Sequence, residues 1–173
     1  VVPFNDPAAL AAALADDDVA AVLCEPAMTN VGMVLPDPDF HAHLRALTRR
    51  HGTLLVLDET HTLACGPGGF TQASGLEPDA IVIGKAIAGG LPCAVYGVSP
   101  ALAGAMREAW QAAPAGRTGI GTTLSASPLQ LAALRATLAE VITDEACARM
   151  VALATRLADA LRQVFARHGL DWC

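Results

Sequence analysis

The sequence has 173 residues, of which 53% are hydrophobic, and its formal net charge is −6. That length and apolar content indicate a folded domain with a buried core and argue against disorder. The acidic balance and the few aromatic residues exclude a nucleic-acid interface, so no nucleic-acid partner is predicted. No run approaches the ~18 apolar residues that span a bilayer, so no membrane partner is predicted. Five cysteines without CxxC spacing predict reduced thiols, a cytoplasmic location and no bound metal.

The first third of the chain alternates helical and strand patterns. Asp6, as N-cap, and Pro7 begin a helix that runs to Leu14. The acidic run Asp16–Asp18 is typical of a solvated turn and is preferred in that role to a metal site. Spacing of apolar residues then predicts a strand Val19–Cys24, followed by a loop Ala27–Pro36. A helix Asp37–His51 comes next, capped by Asp37 or Asp39 and stopped by Gly52. A strand Thr53–Leu57 follows that helix.

The rest of the chain continues the alternation. It predicts strands Asp79–Ile83 and Ala94–Val98, a helix from Ser99 to Trp110, a loop Gln111–Thr118, a helix Ser125–Ile142 and a last helix from Thr143 to His168, ended by Gly169. Strands that alternate with helices indicate an α/β fold with a mostly parallel, doubly wound sheet and crossover connections.

Two of the predicted strands each have one charged residue at the carboxyl end. Asp58 ends the run TLLVLD, and Lys85 follows the run AIVIG. Ligands bind outside the carboxyl ends of strands in open α/β sheets, so both charges should face one crevice. A lysine amine forms a Schiff base with pyridoxal phosphate, and an aspartate pairs with the protonated pyridine nitrogen. The pair therefore predicts a pyridoxal-phosphate site.

Each of these two residues has a competing interpretation. Lys85 could be a surface lysine, but it is the only lysine in the chain and lies among small and apolar residues. Those neighbours predict a partly desolvated amine, which favours nucleophilic attack. Asp58 could cap a helix or hold Mg²⁺ at the end of a Walker B strand. The phosphate loop GxxxxGK[ST] that a nucleotide hydrolase needs does not occur in this sequence.

Other polar residues give weaker indications. His61 could reach the cofactor's phenolic oxygen or ring, or simply be exposed. Thr122 and Thr123, in the segment Gly121–Ser125 before a helix, could bind a phosphate or only cap the helix. Glu25 could orient Lys85 or a substrate group, or only brace its loop with an arginine, and bracing is preferred. Three further histidines near one helix have no evident partner carboxylate and are interpreted as surface residues: His41, His43 and His51.

Four motifs together resemble the class III, pyridoxal-phosphate-dependent aminotransferases of fold type I. They are EP-x-x-x-N from Glu25, LLVLDE at Asp58, GK-x-I-x-GG-x-P around Lys85 and TLS-x-x-P from Thr123. The segments DETHT and CGPGGF resemble the glutamate-1-semialdehyde aminomutase-like subgroup more than the ornithine type. The resemblance runs through nearly the whole chain, and the set is specific although each motif alone is not.

The resemblance implies a role for each matching residue. Lys85 corresponds to the lysine that forms the Schiff base and moves protons, and Asp58 to the partner of the pyridinium nitrogen. Thr123 corresponds to a threonine that reaches the phosphate of the neighbouring subunit's cofactor, which implies a homodimer with shared active sites. Thr60 departs from the usual valine that stacks on the ring, and its hydroxyl needs a partner. His61 replaces a residue that is often Gln or Met.

The family's members are much longer, so the resemblance implies a partial chain. Residues 1–142 match the second half of the cofactor-binding large domain, and residues 143–173 the beginning of the small C-terminal domain. The implied activity is transfer of an amino group between an amine or amino acid donor and a keto acid acceptor; the fragment alone is expected to be inactive. Glutamate-1-semialdehyde 2,1-aminomutase activity and a catalytically inactive dimerisation module remain alternatives.

Overall fold

A four-stranded sheet organises the chain in the computed structural model, which describes residues 1–116, 121 and 125–171. The strands are β1 (Ala21–Cys24), β2 (Leu54–Asp58), β3 (Ala80–Ile83) and β4 (Val95–Val98), adjacent in that order. β1, β2 and β3 run parallel, and β4 is antiparallel to β3. The mostly parallel α/β prediction is confirmed. β4 departs from the crossover pattern because its short connection to β3 leaves no room for a crossover helix.

Six α-helices and two short 3₁₀ helices precede, connect or follow these strands in the described residues. The α-helices are α1 (Pro7–Ala13), α2 (Phe40–Arg50), α3 (Gly69–Ala73), α4 (Pro100–Gln111), α5 (Pro128–Glu140) and α6 (Asp144–His168), and the 3₁₀ helices are Thr62–Cys65 and Lys85–Ala88.

The helix ends test the capping predictions. Asp6 Oδ1 accepts a hydrogen bond from the Ala9 amide at 2.8 Å, as predicted. The prediction for α2 is wrong at its start, because the helix begins at Phe40 and the Asp39 side chain makes no capping bond. α3 and the two 3₁₀ helices were not predicted, since four or five residues are too few to show a helical period.

The main hydrophobic core lies between the sheet and the first two helices. Alternate residues of β2, Leu55 and Leu57, are buried, as expected for a strand covered on that face. The buried cluster joins them to residues of α1 and α2: Leu10, Leu14, Phe40 and Leu44. This packing fixes β2, and with it the position of Asp58 at the strand's carboxyl end.

The later helices attach to the two 3₁₀ helices. α5 packs against Lys85–Ala88, where Ile87 and Ala88 are buried. α6 contacts Thr62–Cys65 and buries Cys147. Among the described residues, none of the helices has both the length and the apolar character needed to cross a membrane.

Candidate active site

Asp58 lies at the carboxyl edge of the sheet, as predicted. It is the last residue of β2, is half-buried, and pairs in register with Val82 of β3. Its Oδ1 atom accepts a hydrogen bond from the Thr60 amide at 2.9 Å. Its Oδ2 atom accepts none from the residues that the structure describes. One carboxylate oxygen is therefore held by the backbone, and the other can receive a cationic N–H donor.

Lys85 lies at the same edge, three residues after Val82. It begins a 3₁₀ helix with a left-handed backbone, φ 54°, a conformation that few residues other than glycine adopt. Burial of Ile87 beneath α5 and the left-handed Gly89 hold this turn in place. The expectation that Lys85 is partly desolvated is wrong for this chain. Its side chain is exposed, because the small residues around it leave the amine open to solvent.

Thr60 and His61 are brought to the same place by the turn that follows β2. A Cβ atom placed on Gly84 would lie 3.6 Å from Thr60 Oγ1, so Thr60 covers the backbone just before Lys85. His61 Nε2 and Lys85 Nζ are hydrogen-bonded. The structure thus gathers four of the predicted site residues: Asp58, Thr60, His61 and Lys85. The other two, Thr122 and Thr123, lie outside the described residues.

A chain of hydrogen bonds continues from His61 away from Lys85. His61 Nδ1 is bonded to Thr29 Oγ1. Thr29 Oγ1 in turn donates to Glu25 Oε2 at 2.6 Å, and the Thr29 amide donates to the same oxygen at 3.2 Å. Glu25 therefore braces its loop, as preferred, but through Thr29 rather than an arginine. Sequence reasoning missed Thr29, since nothing in the local pattern pairs it with a residue 32 positions away.

Glu59 is a second residue that sequence reasoning missed. It is only 1% exposed, and its carboxylate accepts hydrogen bonds from the Thr62 hydroxyl and from the amides of Phe70 and Thr71. It thereby fixes the turn after β2 to the first turn of α3. Gly69 must lack a side chain, because a Cβ there would lie 2.8 Å from the Glu59 carboxylate. The sequence did contain one indication of this position. Successive side chains of a strand point to opposite faces, so Glu59, which follows Asp58, must point away from the face that Asp58 occupies.

The remaining histidines have structural partners. His41 is half-buried, its Nε2 atom donates to the Pro26 carbonyl at 2.8 Å, and burial lowers the pKa of the imidazole. His51 is bonded to the Asp17 carboxylate at 2.5 Å, so the prediction that it has no carboxylate partner is wrong. His43 is exposed and bonds the Asp39 carbonyl. In the described ranges, no group of His, Cys, Asp or Glu residues could hold a metal ion.

One cavity in the described part of the chain lies apart from the Lys85 surface. It has a volume of about 790 Å³ and lies between the N-terminal segment, α1, α2 and the edge strand β1. Asp58 and Glu25 line one end of it, whereas Lys85 and His61 do not. Cys24 also lines it, and burial, followed by the charge of Glu25, raises the pKa of that thiol to about 11. The thiol is therefore protonated near neutral pH and is a poor nucleophile.

Comparison with protein families gives one match across nearly the whole chain. Residues 5–170 match the family model "Aminotransferase class-III". A glutamate-1-semialdehyde 2,1-aminomutase of Akkermansia muciniphila is 36% identical over 174 aligned residues, which cover 99% of this chain and 39% of that protein. The chain thus spans about two fifths of the length of this curated relative.

Solved structures agree with this match. A crystal structure of a glutamate-1-semialdehyde aminomutase from Pseudomonas aeruginosa, in complex with PMP, has a TM-score of 0.88 and 52% identity, covering 96% of this chain and 38% of that one. A β-phenylalanine aminotransferase from Variovorax paradoxus has a TM-score of 0.75 and 31% identity, covering 94% of this chain and 36% of that one.

Proposed function

This chain belongs to the class III aminotransferase family, and we propose that it supplies the catalytic lysine and the pyridine-binding aspartate of a pyridoxal-phosphate enzyme. One observation carries the proposal: Asp58 and Lys85 lie at the same edge of a parallel sheet, after neighbouring strands. That edge is where open α/β folds bind ligands.

The residues present fit the cofactor. Asp58 has one oxygen that accepts no hydrogen bond from a described residue, which suits the N–H of a protonated pyridine ring. The exposed amine of Lys85 is accessible to an aldehyde carbon. When bound, the cofactor would supply an electron sink for charge that develops on the substrate. Thr122 and Thr123 remain the proposed phosphate ligands on sequence grounds alone.

Each residue of the site would have a separate role, which its position determines. The Thr60 amide fixes Oδ1 of Asp58, so the carboxylate would keep one orientation when its other oxygen receives the N–H of the ring. A fixed anion there stabilises positive charge on that nitrogen without reorganising. Lys85 would both attach the cofactor and carry protons to and from the substrate carbon. Thr60, which covers the backbone at Gly84, would offer its methyl group to the ring.

The proposed reaction moves an amino group from an amine or amino acid to a keto acid. The names of the relatives favour a second candidate, an intramolecular 2,1-aminomutase. The two differ in whether product formation needs a separate amino acceptor. We further propose a cytoplasmic homodimer with shared sites, with residues 1–142 in the large domain and 143–173 in the small one. The described cysteines, all free thiols, are compatible with a reducing compartment.

The test is capture of pyridoxal phosphate by Lys85. The chain, or the longer product of its gene if there is one, is mixed with the cofactor, and its visible absorbance is recorded. Borohydride reduction and peptide mass mapping then assign the adduct to a peptide, and the 173-residue sequence contains one lysine, Lys85. We expect the adduct on the Lys85 peptide and none at that peptide in Lys85→Ala. Lys85→Arg keeps the charge and serves as the matched control.

Two outcomes would contradict the proposal. An adduct on the N-terminal amine only, equal in wild type and Lys85→Ala, would remove Lys85 from the site. No adduct in either the chain or a longer product would leave the inactive dimerisation module as the better interpretation. If the adduct forms, amino transfer that proceeds without an added keto acid would favour the aminomutase over the aminotransferase.

A further inference from the structure

We propose that Glu25, Thr29 and His61 form a hydrogen-bond relay that ends at Lys85, in which His61 Nε2 accepts the proton that Lys85 Nζ releases. The inference rests on the proposed function only in taking Lys85 as the reactive amine. It concerns how this chain deprotonates that amine.

The relay is assembled by the sheet. Glu25 directly follows β1, His61 follows β2 and Lys85 follows β3, and these three strands are parallel. Their carboxyl ends meet at one edge, so residues far apart in sequence come into hydrogen-bond contact. Thr29, in the loop after β1, joins Glu25 to His61, and His61 joins Thr29 to Lys85.

The direction of each hydrogen bond follows from the groups involved. A carboxylate only accepts, so the single hydroxyl proton of Thr29 is donated to Glu25 Oε2, 2.6 Å away. Thr29 Oγ1 must then accept at its contact with His61, which requires a proton on His61 Nδ1. In the neutral ring the other nitrogen, Nε2, carries a lone pair, and this lone pair faces Lys85 Nζ.

The proton transfer that this arrangement allows conserves the number of protons and the total charge. Lys85 Nζ loses one proton, which leaves with its positive charge and becomes bound to the Nε2 lone pair. Lys85 becomes a neutral amine, and His61 becomes an imidazolium with protons on both nitrogens. Thr29 continues to accept from Nδ1, and the Glu25 carboxylate, one hydroxyl further on, stabilises the new charge. His61 is thus a base that a third group, Thr29, orients.

Thr29 is thus a positioning residue, because it acts only through His61. Without its hydroxyl, nothing in the relay requires the proton to stay on Nδ1, and the ring can adopt the tautomer with the proton on Nε2. That tautomer donates toward Lys85 and cannot accept a proton from it. Thr29→Val removes the hydroxyl at nearly constant shape, whereas Thr29→Ser retains it.

The first test reads the tautomer by ¹⁵N NMR of the chain labelled at histidine, with the His61 signals assigned by His61→Gln. We expect His61 at neutral pH to carry its proton on Nδ1 in the wild type and in Thr29→Ser, and to lose this preference in Thr29→Val. A wild-type ring protonated on Nε2, or a Thr29→Val spectrum equal to that of the wild type, would overturn the relay. A role of Thr29 in loop packing alone would leave the tautomer unchanged.

The second test measures the reactivity of Lys85 without the cofactor. Mass spectrometry follows reductive methylation of the single lysine by formaldehyde and cyanoborohydride. A general base supplies roughly 10²–10⁴-fold, and Thr29→Val retains that base but loses its orientation, so we expect a rate about tenfold lower than in the wild type, with rescue in Thr29→Ser. Thr155→Val, which removes a hydroxyl on exposed α6, is the control and should react like the wild type. Circular dichroism of each variant checks that the fold is retained.

The two proposals can fail separately. Equal methylation rates in the wild type and Thr29→Val, while pyridoxal phosphate still forms its adduct on Lys85, would remove the relay and keep the proposed function. A tenfold difference in methylation, with no cofactor adduct on Lys85, would keep the relay and remove the proposed function.

Discussion

Apolar residues are buried in one region of the molecule and exposed in another. The first region is the sheet with α1 and α2, and the second is the set of later helices, α4 to α6. α1, α2 and β2 bury a continuous cluster that includes Leu10, Leu44 and Leu57. α4 buries no residue, α5 buries only Thr137 and α6 only Cys147. Many large apolar side chains of α5 and α6 are exposed, including Leu129, Leu131, Leu138, Met150, Val151, Leu153, Leu157, Leu161 and Val164.

The difference separates two sources of helical structure. α1 and α2 are stabilised by burial against β2, and tertiary packing normally supplies most helix stability. α6 instead has strong local features in its sequence: the Thr143 cap, acidic residues in its first turn, basic residues in its last turn and Gly169 at its end. The candidate site lies at the edge of the packed sheet, and α5 contributes to it by packing on the turn that begins at Lys85.

The largest expected effect comes from truncating the core side chain nearest the site. Leu57 is 1% exposed, and Leu57→Ala should lower the free energy of unfolding by about 2–5 kcal/mol through lost burial and the cavity left behind. Leu157→Ala on α6, where the side chain is 62% exposed, should change it by less than about 0.5 kcal/mol. Urea denaturation followed by circular dichroism measures both. Equal losses would mean that α6 is packed as the sheet is.

A smaller effect is expected at the ion pair that ties α2 to the sheet. Asp79 accepts from the Leu55 amide at 2.8 Å and from Arg45 at 2.7 and 3.0 Å, and the hydrogen bonds from Arg45 hold the pKa of its carboxyl below its usual value. Asp79→Asn should cost about 2 kcal/mol at pH 7, the usual size for hydrogen bonds to a charged group.

The pH dependence of that loss has a definite sign. Because the pKa of Asp79 is lower in the folded state, its contribution is present above the unfolded value and disappears as pH falls through the folded value. The difference between wild type and Asp79→Asn should therefore shrink below about pH 4. Glu77→Gln, in an exposed pair with Arg49, should cost less than about 1 kcal/mol and is the control. A difference that grows in acid would contradict the assignment.

Most of the fold could be predicted because its signals are local. β-branched and leucine runs indicated all four strands. Asp6 caps α1 as expected, and Ser99 and Thr143, where two later helices were predicted to start, also cap them; each side chain accepts a hydrogen bond from the amide three residues later. What could not be predicted depends on short or distant structure. The 3₁₀ helix at Lys85 has too few residues to show a period, and the antiparallel direction of β4 is set by a connection, not by the strand's own residues.

In the candidate site, too, local features could be predicted and contacts between distant residues could not. Asp58 and Lys85 could be found because each ends an apolar strand run, and parallel strands bring such ends together. The contact between Lys85 and His61 and the contact between His61 and Thr29 could not, because they depend on side-chain directions in two loops. Desolvation of Lys85 was inferred from small neighbours, but small side chains cover little surface, and the amine is exposed.

The smallest expected effect tests whether α6 unfolds together with the sheet. Thr143 Oγ1 accepts from the Ala146 amide at 3.2 Å, and Thr143→Ala should cost about 1 kcal/mol. If α6 is stabilised locally, that loss will appear as faster amide hydrogen exchange in α6, with little change in the urea midpoint of the sheet. Asp6→Ala removes the equivalent cap of α1, whose Leu10 lies in the core, and should lower the global midpoint. Equal midpoint shifts in both variants would show that the two regions unfold as one unit and would end the distinction between them.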